Sequence, residues 1–239
     1  MKLKTKIFSK GKVIKTDNIK VLELFAGSRS IGKVAQNLGM TVLSSDVQPF
    51  DKIDYSVDIM AFDCEQIPFV PDVIWSSPPC TGFSVAAIGH HWEKDGTNRF
   101  PKTKTTRIGL RYVLNTIAII KYYLVLNPQL LWYIENPRGM LRKMFFMEEL
   151  PIRHTVTYCQ YGENRMKPTD IWTNNTNWKP KSRCKNGSSC HEASPRGSKT
   201  GTQALKNNYE RSKIPQQLCQ EILTSSIVTN NSQQKIEKA

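Results

Sequence analysis

The 239-residue chain carries 34 Lys+Arg against 20 Asp+Glu, and its formal net charge of +14 is the electrostatic footprint of a protein with a polyanionic partner such as nucleic acid. The length supports one good core, arranged as a large domain with a small lobe. The six cysteines, at 64, 80, 159, 184, 190 and 219, are too scattered for the disulfide framework of a small secreted domain; no stretch reads as a membrane span, and residues 1–15 lack the apolar core of a signal sequence, so a soluble cytoplasmic protein with reduced thiols is expected.

Residues 1–18 are basic and without period, and read as an arm. Residues 19–26 (IKVLELFA) form a short, buried-strand pattern that ends at Gly27. Ser28 is placed to cap a helix in which Ile31, Val34, Ala35 and Leu38 make one stripe, and Gly39 stands where the helix end wants a positive φ. A second strand, 41–45, delivers Asp46 at its carboxyl end. In an open α/β sheet that edge binds ligands, and an acid about twenty residues past the glycine turn is placed to accept hydrogen bonds from ribose. A third short strand, near 57–60, is expected to lead to Asp63.

The run 72–75 (DVIW) reads as another buried strand, and it opens into Ser76-Ser77-Pro78-Pro79-Cys80-Thr81-Gly82-Phe83-Ser84. Two prolines fix φ and remove backbone donors, so the chain must leave the sheet on a defined course. Free cysteine is usually a buried small hydrophobe; on this loop the Cys80 thiol is positioned rather than packed. Residues 86–102, mixed in Gly, His, Trp and charge, read as a mobile lid. A helix over 103–126 follows, with Leu110, Val113, Leu114, Ile117, Ile120 and Leu124 expected in the core and Asn127-Pro128 as its stop.

Strand 130–134 repeats the earlier grammar, handing Glu135-Asn136-Pro137 to a proline-fixed turn at the same edge as Cys80. Strands at 154–160 and 170–173 flank a turn that carries Arg165 and Lys167. Residues 174–213 are rich in Asn, Ser, Gly and cations and form an irregular basic lobe with little core of its own. Cys184, Cys190 and His191, with Cys159 or His154, have the chemistry to bind zinc and staple this lobe, but the spacing is not a common finger spacing and no metal is assigned. Pro215 opens a last helix, 214–224, with Leu218, Cys219, Ile222 and Leu223 inward, and 225–239 read as a disordered tail. The domains are therefore 1–18, a catalytic α/β unit at 19–173, the lobe at 174–213, and the returning helix.

Several of these segments resemble, in chain order, the DNA cytosine-C5 methyltransferases. Leu22-Glu23-Leu24-Phe25-Ala26-Gly27 resembles the first S-adenosylmethionine motif, with Ser28-Arg29-Ser30 in place of its glycine-rich continuation. Pro78-Pro79-Cys80 is similar to the catalytic loop, Glu135-Asn136-Pro137 to the Glu-Asn-Val motif with its last residue changed, Tyr161-Gly162 with Arg165 and Lys167 to the Gln-x-Arg-x-Arg region, and Arg211-Ser212-Lys213-Ile214-Pro215 to the last motif. The resemblance implies a Rossmann-like S-adenosylmethionine-dependent methyltransferase fold in the α/β class with a small irregular basic lobe.

It also implies site roles. Cys80 would attack C6 of a flipped cytosine, Glu135 would serve its N3 edge, and Arg165 or Lys167 would neutralise O2 and the backbone. Phe25 and Gly27 would underlie the methionine part of the cofactor, Asp46 would hold the ribose, Asp63 would face the adenine amine, and Ser77 and Pro78 would line the same pocket. Lys167, Arg183, Arg196 and Lys199 would contact DNA. The expected partner is DNA, bound by a monomer in the cytoplasm, with a short or relaxed target sequence because the recognition region is small, or with a partner supplying readout. Two alternatives are a catalytically silent DNA-binding protein on this fold and a pyrimidine C5-modifying enzyme acting on RNA or free nucleotide.

Overall fold

The computed structural model describes residues 7–9, 12–14, 18–85, 88–96, 98–193 and 207–236. The basic arm contains an antiparallel hairpin of β1 (Ile7–Ser9) and β2 (Lys12–Ile14). Then come β3 (Lys20–Leu24), α1 (Ser30–Asn37), β4 (Thr41–Asp46), β5 (Tyr55–Ser56) and β6 (Val73–Ser76). A short α2 (Ile88–His91), the hairpin β7 (Trp92–Asp95) and β8 (Asn98–Pro101), and the long α3 (Lys104–Leu126) lead to β9 (Leu131–Pro137). The chain closes with α4 (Phe145–Glu148), β10 (Ile152–Thr157), β11 (Pro168–Thr173), α5 (Asn208–Ser212) and α6 (Gln216–Ile236).

Seven strands make one sheet in the order β10-β11-β9-β6-β3-β4-β5. The five from β9 to β5 run parallel, and the β10–β11 hairpin adds an antiparallel edge. Because helices cover both faces, the strands are apolar on both sides. Val21, Trp75 and Tyr133 face Ile31 and Val34 of α1 and Leu218 and Ile222 of α6. The alternate residues Leu22, Ile74, Trp132 and Ile134 face Val113, Ile120 and Tyr123 of α3. This is the Rossmann-like α/β architecture expected. The chain winds outward from β3 through β4 to β5, then returns to place β6 on the other side of β3. That reversal opens a crevice at the carboxyl ends of β3 and β6, where ligands bind in open α/β sheets.

Several elements differ from the sequence reading. The third strand is Tyr55–Ser56, and residues 59–61 form a 3-10 turn in which Asp58 accepts from the Met60 backbone N–H at 2.8 Å, a local cap that draws the chain out of the sheet. Ser28 does not cap α1; Arg29 occupies that position in a left-handed conformation. Of the expected lid, residues 88–91 form a helical turn and 92–95 pair antiparallel with 98–101, pinned where the buried Trp92 donates from Nε1 to the Gly82 carbonyl at 2.6 Å; residues 86, 87 and 97 lie outside the described residues. Leu114 is exposed, because the buried face of α3 runs through Thr106, Gly109, Val113, Thr116, Ile120 and Tyr123. Contrary to expectation, α3 is long and apolar enough to cross a membrane by length and composition; here that face packs on the sheet.

The tail expected to be disordered from residue 225 continues α6 to Ile236. Ser226 shares a 2.8 Å hydrogen bond with the Tyr133 hydroxyl, and Thr229 Oγ1 donates to the side-chain oxygen Oδ1 of Asn175 at 3.4 Å. A polar helix face is thus buried against polar partners, with Ile227 beside it. The first residues of the basic lobe also belong to this core: Trp178 is buried, and its Nε1 donates to Glu221 at 2.9 Å.

Candidate active site

Parallel pairing of Leu24 with Ser76, Leu24 with Ser45, and Ser76 with Ile134 brings the turn after β3, the end of β4, the loop after β6 and the end of β9 to one edge. Antiparallel pairing of Thr169 with Pro137 puts Lys167, just ahead of β11, at that edge too. Four separated chain segments therefore meet around the crevice.

At the β3 turn, Phe25, Gly27 and Arg29 all have left-handed φ, at 54°, 47° and 56°. Only glycine takes such a φ freely. Beneath the turn is a buried network that the sequence reading missed. Glu23 accepts from the Ile31 backbone N–H at 3.0 Å and from Ser44 Oγ at 2.9 Å, and Arg29 Nε donates to that hydroxyl at 3.1 Å. Glu23 is 2 % exposed, and burial pushes its carboxyl up to about 7, against hydrogen bonds from Ser44 and the backbone of Gly32 and Ile31 and against the Arg29 charge. A carboxyl reaching in from β3 thus takes the place of the missing cap and meets the positive end of α1. A Cβ on Gly32 would lie 2.6 Å from Glu23 Oε2 and 2.9 Å from Ser44 Oγ, so any larger residue there would displace this network.

Asp46 joins this turn to β4: its Oδ2 accepts from the Gly27 N–H and its Oδ1 from the Gln48 N–H, both at 2.9 Å. Each oxygen keeps a second acceptor site, and the carboxylate is half exposed. The space where a Gly27 Cβ would stand is open, with Ser212 Oγ the nearest atom at 4.0 Å. An oriented carboxylate, an open glycine surface and a switch-point crevice fit the ribose and aminoacyl parts of a nucleoside cofactor. Asp63 is placed differently from expectation. It is exposed and caps a 3-10 turn, accepting from the Glu65 N–H at 2.9 Å, not ending a strand. Ser77 is half-buried and accepts from Trp75 Nε1 at 2.8 Å, and Pro78 is buried beside it.

The cysteine loop is tied down from β9. Asn136 Nδ2 donates to the Pro78 carbonyl at 2.9 Å, and the Met140 N–H donates to the Phe83 carbonyl at 2.7 Å. Gly139 permits the second contact, since a Cβ there would stand 2.0 Å from the Phe83 oxygen. The N–H groups of Phe83 and Ser84 both reach the Cys80 carbonyl, at 2.9 and 3.1 Å, closing a turn that presents the half-buried thiol.

Glu135, 5 % exposed, accepts at Oε1 from the Tyr158 hydroxyl at 3.0 Å. Lys167 Nζ lies 4.6 Å from the centre of the Tyr158 ring and donates to the Arg211 carbonyl at 3.1 Å. Cys80 feels these groups: burial pushes its thiol up, Lys167 pulls it down, Glu135 adds to the rise, and Arg211 opposes it. Arg165 does not take the place expected for it. Its guanidinium is clamped by Glu163 (Nε to Oε2, 2.6 Å) and donates to the carbonyls of Arg211 and Lys213 at 3.2 and 3.5 Å. It fixes the 211–213 segment, leaving Lys167 as the cation of that turn in the field of Cys80. The same segment is locked to the glycine turn where the Ile214 N–H donates to Ser30 Oγ at 3.1 Å.

Beyond this edge, a cleft of about 450 Å³ is lined by Arg138, Thr155, Met166, Arg183 and Lys185. Arg138 directly follows the Glu135-Asn136-Pro137 turn, so the cations of the lobe border the site. Arg196 and Lys199, expected to contact DNA, lie outside the described residues. Cys159, Cys184, Cys190 and His191 gather their ligand atoms within 4.8 Å of one another.

A switch-point crevice with an oriented acid, beside a cysteine and a glutamate on neighbouring strand ends, defines the class: a Rossmann-like methyltransferase fold with a thiol at the same sheet edge. No family model matches the chain. It is 30% identical over 177 residues to the probable DNA (cytosine-5)-methyltransferase of Frog virus 3 (isolate Goorha), a match that covers 72% of this chain and 78% of that protein. The chain belongs to the DNA (cytosine-5)-methyltransferase family, whose methyl donor is S-adenosylmethionine. Among solved structures it is similar to a mutant of Spodoptera frugiperda DNMT2 at a TM-score of 0.44 and 18% identity, over 70% of this chain. The chain spans about half the length of that structure, 54%.

Proposed function

We propose that the protein methylates C5 of cytosine in DNA through a covalent adduct between Cys80 and C6 of a base flipped out of the stack. The observation that carries this reading is the meeting of two loops at one sheet edge: Ser76 pairs with Ile134, and Asn136, next to Glu135, donates to the carbonyl of Pro78 in the cysteine loop at 2.9 Å. C5 of cytosine is a weak nucleophile. Loss of the Cys80 proton to solvent and formation of an S–C6 bond move the C5–C6 π pair onto C5. Glu135, held at Oε1 by Tyr158, uses its other oxygen to share a proton with N3, which draws the developing charge off the ring. Lys167 and Arg211 favour the thiolate that attacks. When bound, S-adenosylmethionine supplies the electrophilic methyl group that C5 receives. Loss of the C5 proton to solvent then re-forms the C5–C6 double bond, the S–C6 pair returns to sulfur, and the proton shared with N3 stays on Glu135.

Asp46, Phe25, Gly27, Ser77 and Pro78 are the residues assigned to hold the cofactor. DNA is favoured over a free nucleotide by the +14 charge and by Arg138, Arg183 and Lys185 along the cleft, which suit a phosphate backbone. Flipping is required because stacked duplex shields C6 from a thiol. The test is incubation with labelled S-adenosylmethionine and duplex DNA, RNA or cytidine nucleotides, followed by nucleoside analysis. Label is expected in 5-methyldeoxycytidine from DNA. Label in 5-methylcytidine from RNA alone would overturn the choice of DNA, and methylation by Cys80→Ala at the normal rate would overturn the adduct.

A further inference from the structure

We propose that Cys159, Cys184, Cys190 and His191 form a closed structural zinc site that fastens the basic lobe to the turn supporting Glu135. Three of the ligands come from the lobe. The fourth, Cys159, is in the 3-10 turn Tyr158–Tyr161 that follows β10. Cys190 Sγ is 3.3 Å from Cys184 Sγ and 3.7 Å from Cys159 Sγ. His191 Nδ1 is 3.3 Å from Cys184 Sγ and 3.7 Å from Cys190 Sγ. With bonds of about 2.3 Å to sulfur and about 2.0 Å to nitrogen, a tetrahedral zinc ion sets edges of roughly 3.5–3.8 Å between its ligands. Four of the six edges stand at 3.3–3.7 Å, and all six are within 4.8 Å.

The donor set selects the metal class. Three thiolates and an imidazole are soft to borderline ligands that suit zinc over magnesium or calcium, and four protein ligands leave no open position for chemistry. Binding would release the thiol protons of Cys159, Cys184 and Cys190 to solvent, with His191 neutral and ligating through Nδ1. Gln160 Nε2, 3.4 Å from Cys190 Sγ, is placed to donate to one thiolate and fix its orientation.

The lobe has a physical need for such a bond. Residues 181–190 are exposed apart from the half-buried Cys184, so no apolar core holds them. Hydrogen bonds attach them to the catalytic unit at Lys181, whose N–H donates to the Tyr161 hydroxyl at 2.9 Å and whose Nζ donates to the Gln160 carbonyl at 3.0 Å, and at Cys184, whose N–H donates to Thr157 Oγ1 at 2.9 Å; just beyond, the Glu192 N–H donates to the Asn164 carbonyl at 3.0 Å. A metal would join both segments at one point. Arg183 and Lys185 flank one ligand, and Tyr158, which holds Glu135, adjoins another. The site would thereby set the lobe's cations at a fixed distance from the catalytic glutamate.

The experiment is elemental analysis of the full-length protein purified under reducing conditions with zinc in the growth medium, followed by exchange into cobalt(II). About one zinc per chain is expected, and the cobalt form should show thiolate-to-metal charge transfer with the strong d–d bands of a tetrahedral ion. Cys190→Ala and His191→Ala should lose most of the metal, while Cys64→Ala, outside the cluster, should keep it. Because the wild-type measurement stands alone, misfolding of a variant does not decide the matter. Folded wild-type protein with less than a tenth of an equivalent of zinc and no tetrahedral cobalt spectrum would overturn the proposal. So would a Cys184–Cys190 disulfide found throughout protein prepared anaerobically.

Discussion

The two halves of the site are built by different means. On the β3–β4 side the backbone does most of the positioning: left-handed turns, an N–H from Gly27 and another from Gln48 fix Asp46, 19 residues past Gly27. On the β6–β9 side, side chains from distant segments do it. Asn136 straps the cysteine loop, Tyr158 holds Glu135, and Arg165 clamps the 211–213 segment. A backbone-built half tolerates little variation of fold. A side-chain-built half can change its substrate by changing a few residues.

This contrast predicts different failures. Glu135→Gln keeps an oxygen for Tyr158 yet lacks the proton to share with N3, so kcat should fall on the order of 10²–10³-fold with little change in KM for the cofactor. Lys167→Met removes a charge that lowers the Cys80 pKa, so the thiol pKa rises and the rise of kcat with pH should move to more alkaline values, with roughly a tenfold loss at neutral pH for each unit moved. Asp46→Ala should do the opposite of Glu135→Gln, raising KM for S-adenosylmethionine about tenfold while leaving the rate at saturation near wild type. Equal effects on both kinetic constants from the two acid variants would erase the distinction between the halves.

The smallest effect on activity, and the most telling for the backbone-built half, concerns Glu23. Its folded pKa, about 7, lies above the usual carboxyl value, so the folded state holds a proton that the unfolded state has lost between those limits. The contribution of Glu23 to stability is therefore fully present below the unfolded pKa and is lost as pH rises through 7, by on the order of 3 kcal/mol at most. Urea unfolding across that range should show the fall in wild type and its flattening in Glu23→Gln.

Much of the backbone-built half was legible because its signals are local. An apolar run, a glycine and an acid about twenty residues later were enough to place Gly27 and Asp46, and the strand-to-proline pattern placed Cys80 and Glu135. Glu23 was missed although its signal was present. A carboxylate inside Val21-Leu22-Glu23-Leu24, a strand apolar on both faces, must find donors, and Ser44 and the N-terminus of α1 are those donors. The roles of Tyr158, Asn136 and Arg165 depend on pairings across 23, 58 and 46 residues, which no local pattern encodes. The end of α6 was misread for a related reason: its Ser and Thr have the composition of a tail, and distant partners, Tyr133, Asn175 and Asn177, make their burial favourable. Leu114 misled because the apolar stripe of α3 is broad, and the sheet covers one side of it through Gly109, Val113 and Ile120.

The central claim is the bond between Cys80 and the base, and it can be caught directly. A DNA duplex carrying 5-fluorodeoxycytidine should permit attack and methyl transfer but block the final elimination, because C5 then bears fluorine where a proton must leave. With S-adenosylmethionine present, wild-type protein should form a complex stable to denaturing electrophoresis, with the modified base mapped by mass spectrometry to the Cys80 peptide, while Cys80→Ala forms none. Methylation of ordinary duplex without any trapped species on the fluorinated one, or a trapped species that persists in Cys80→Ala, would contradict the mechanism.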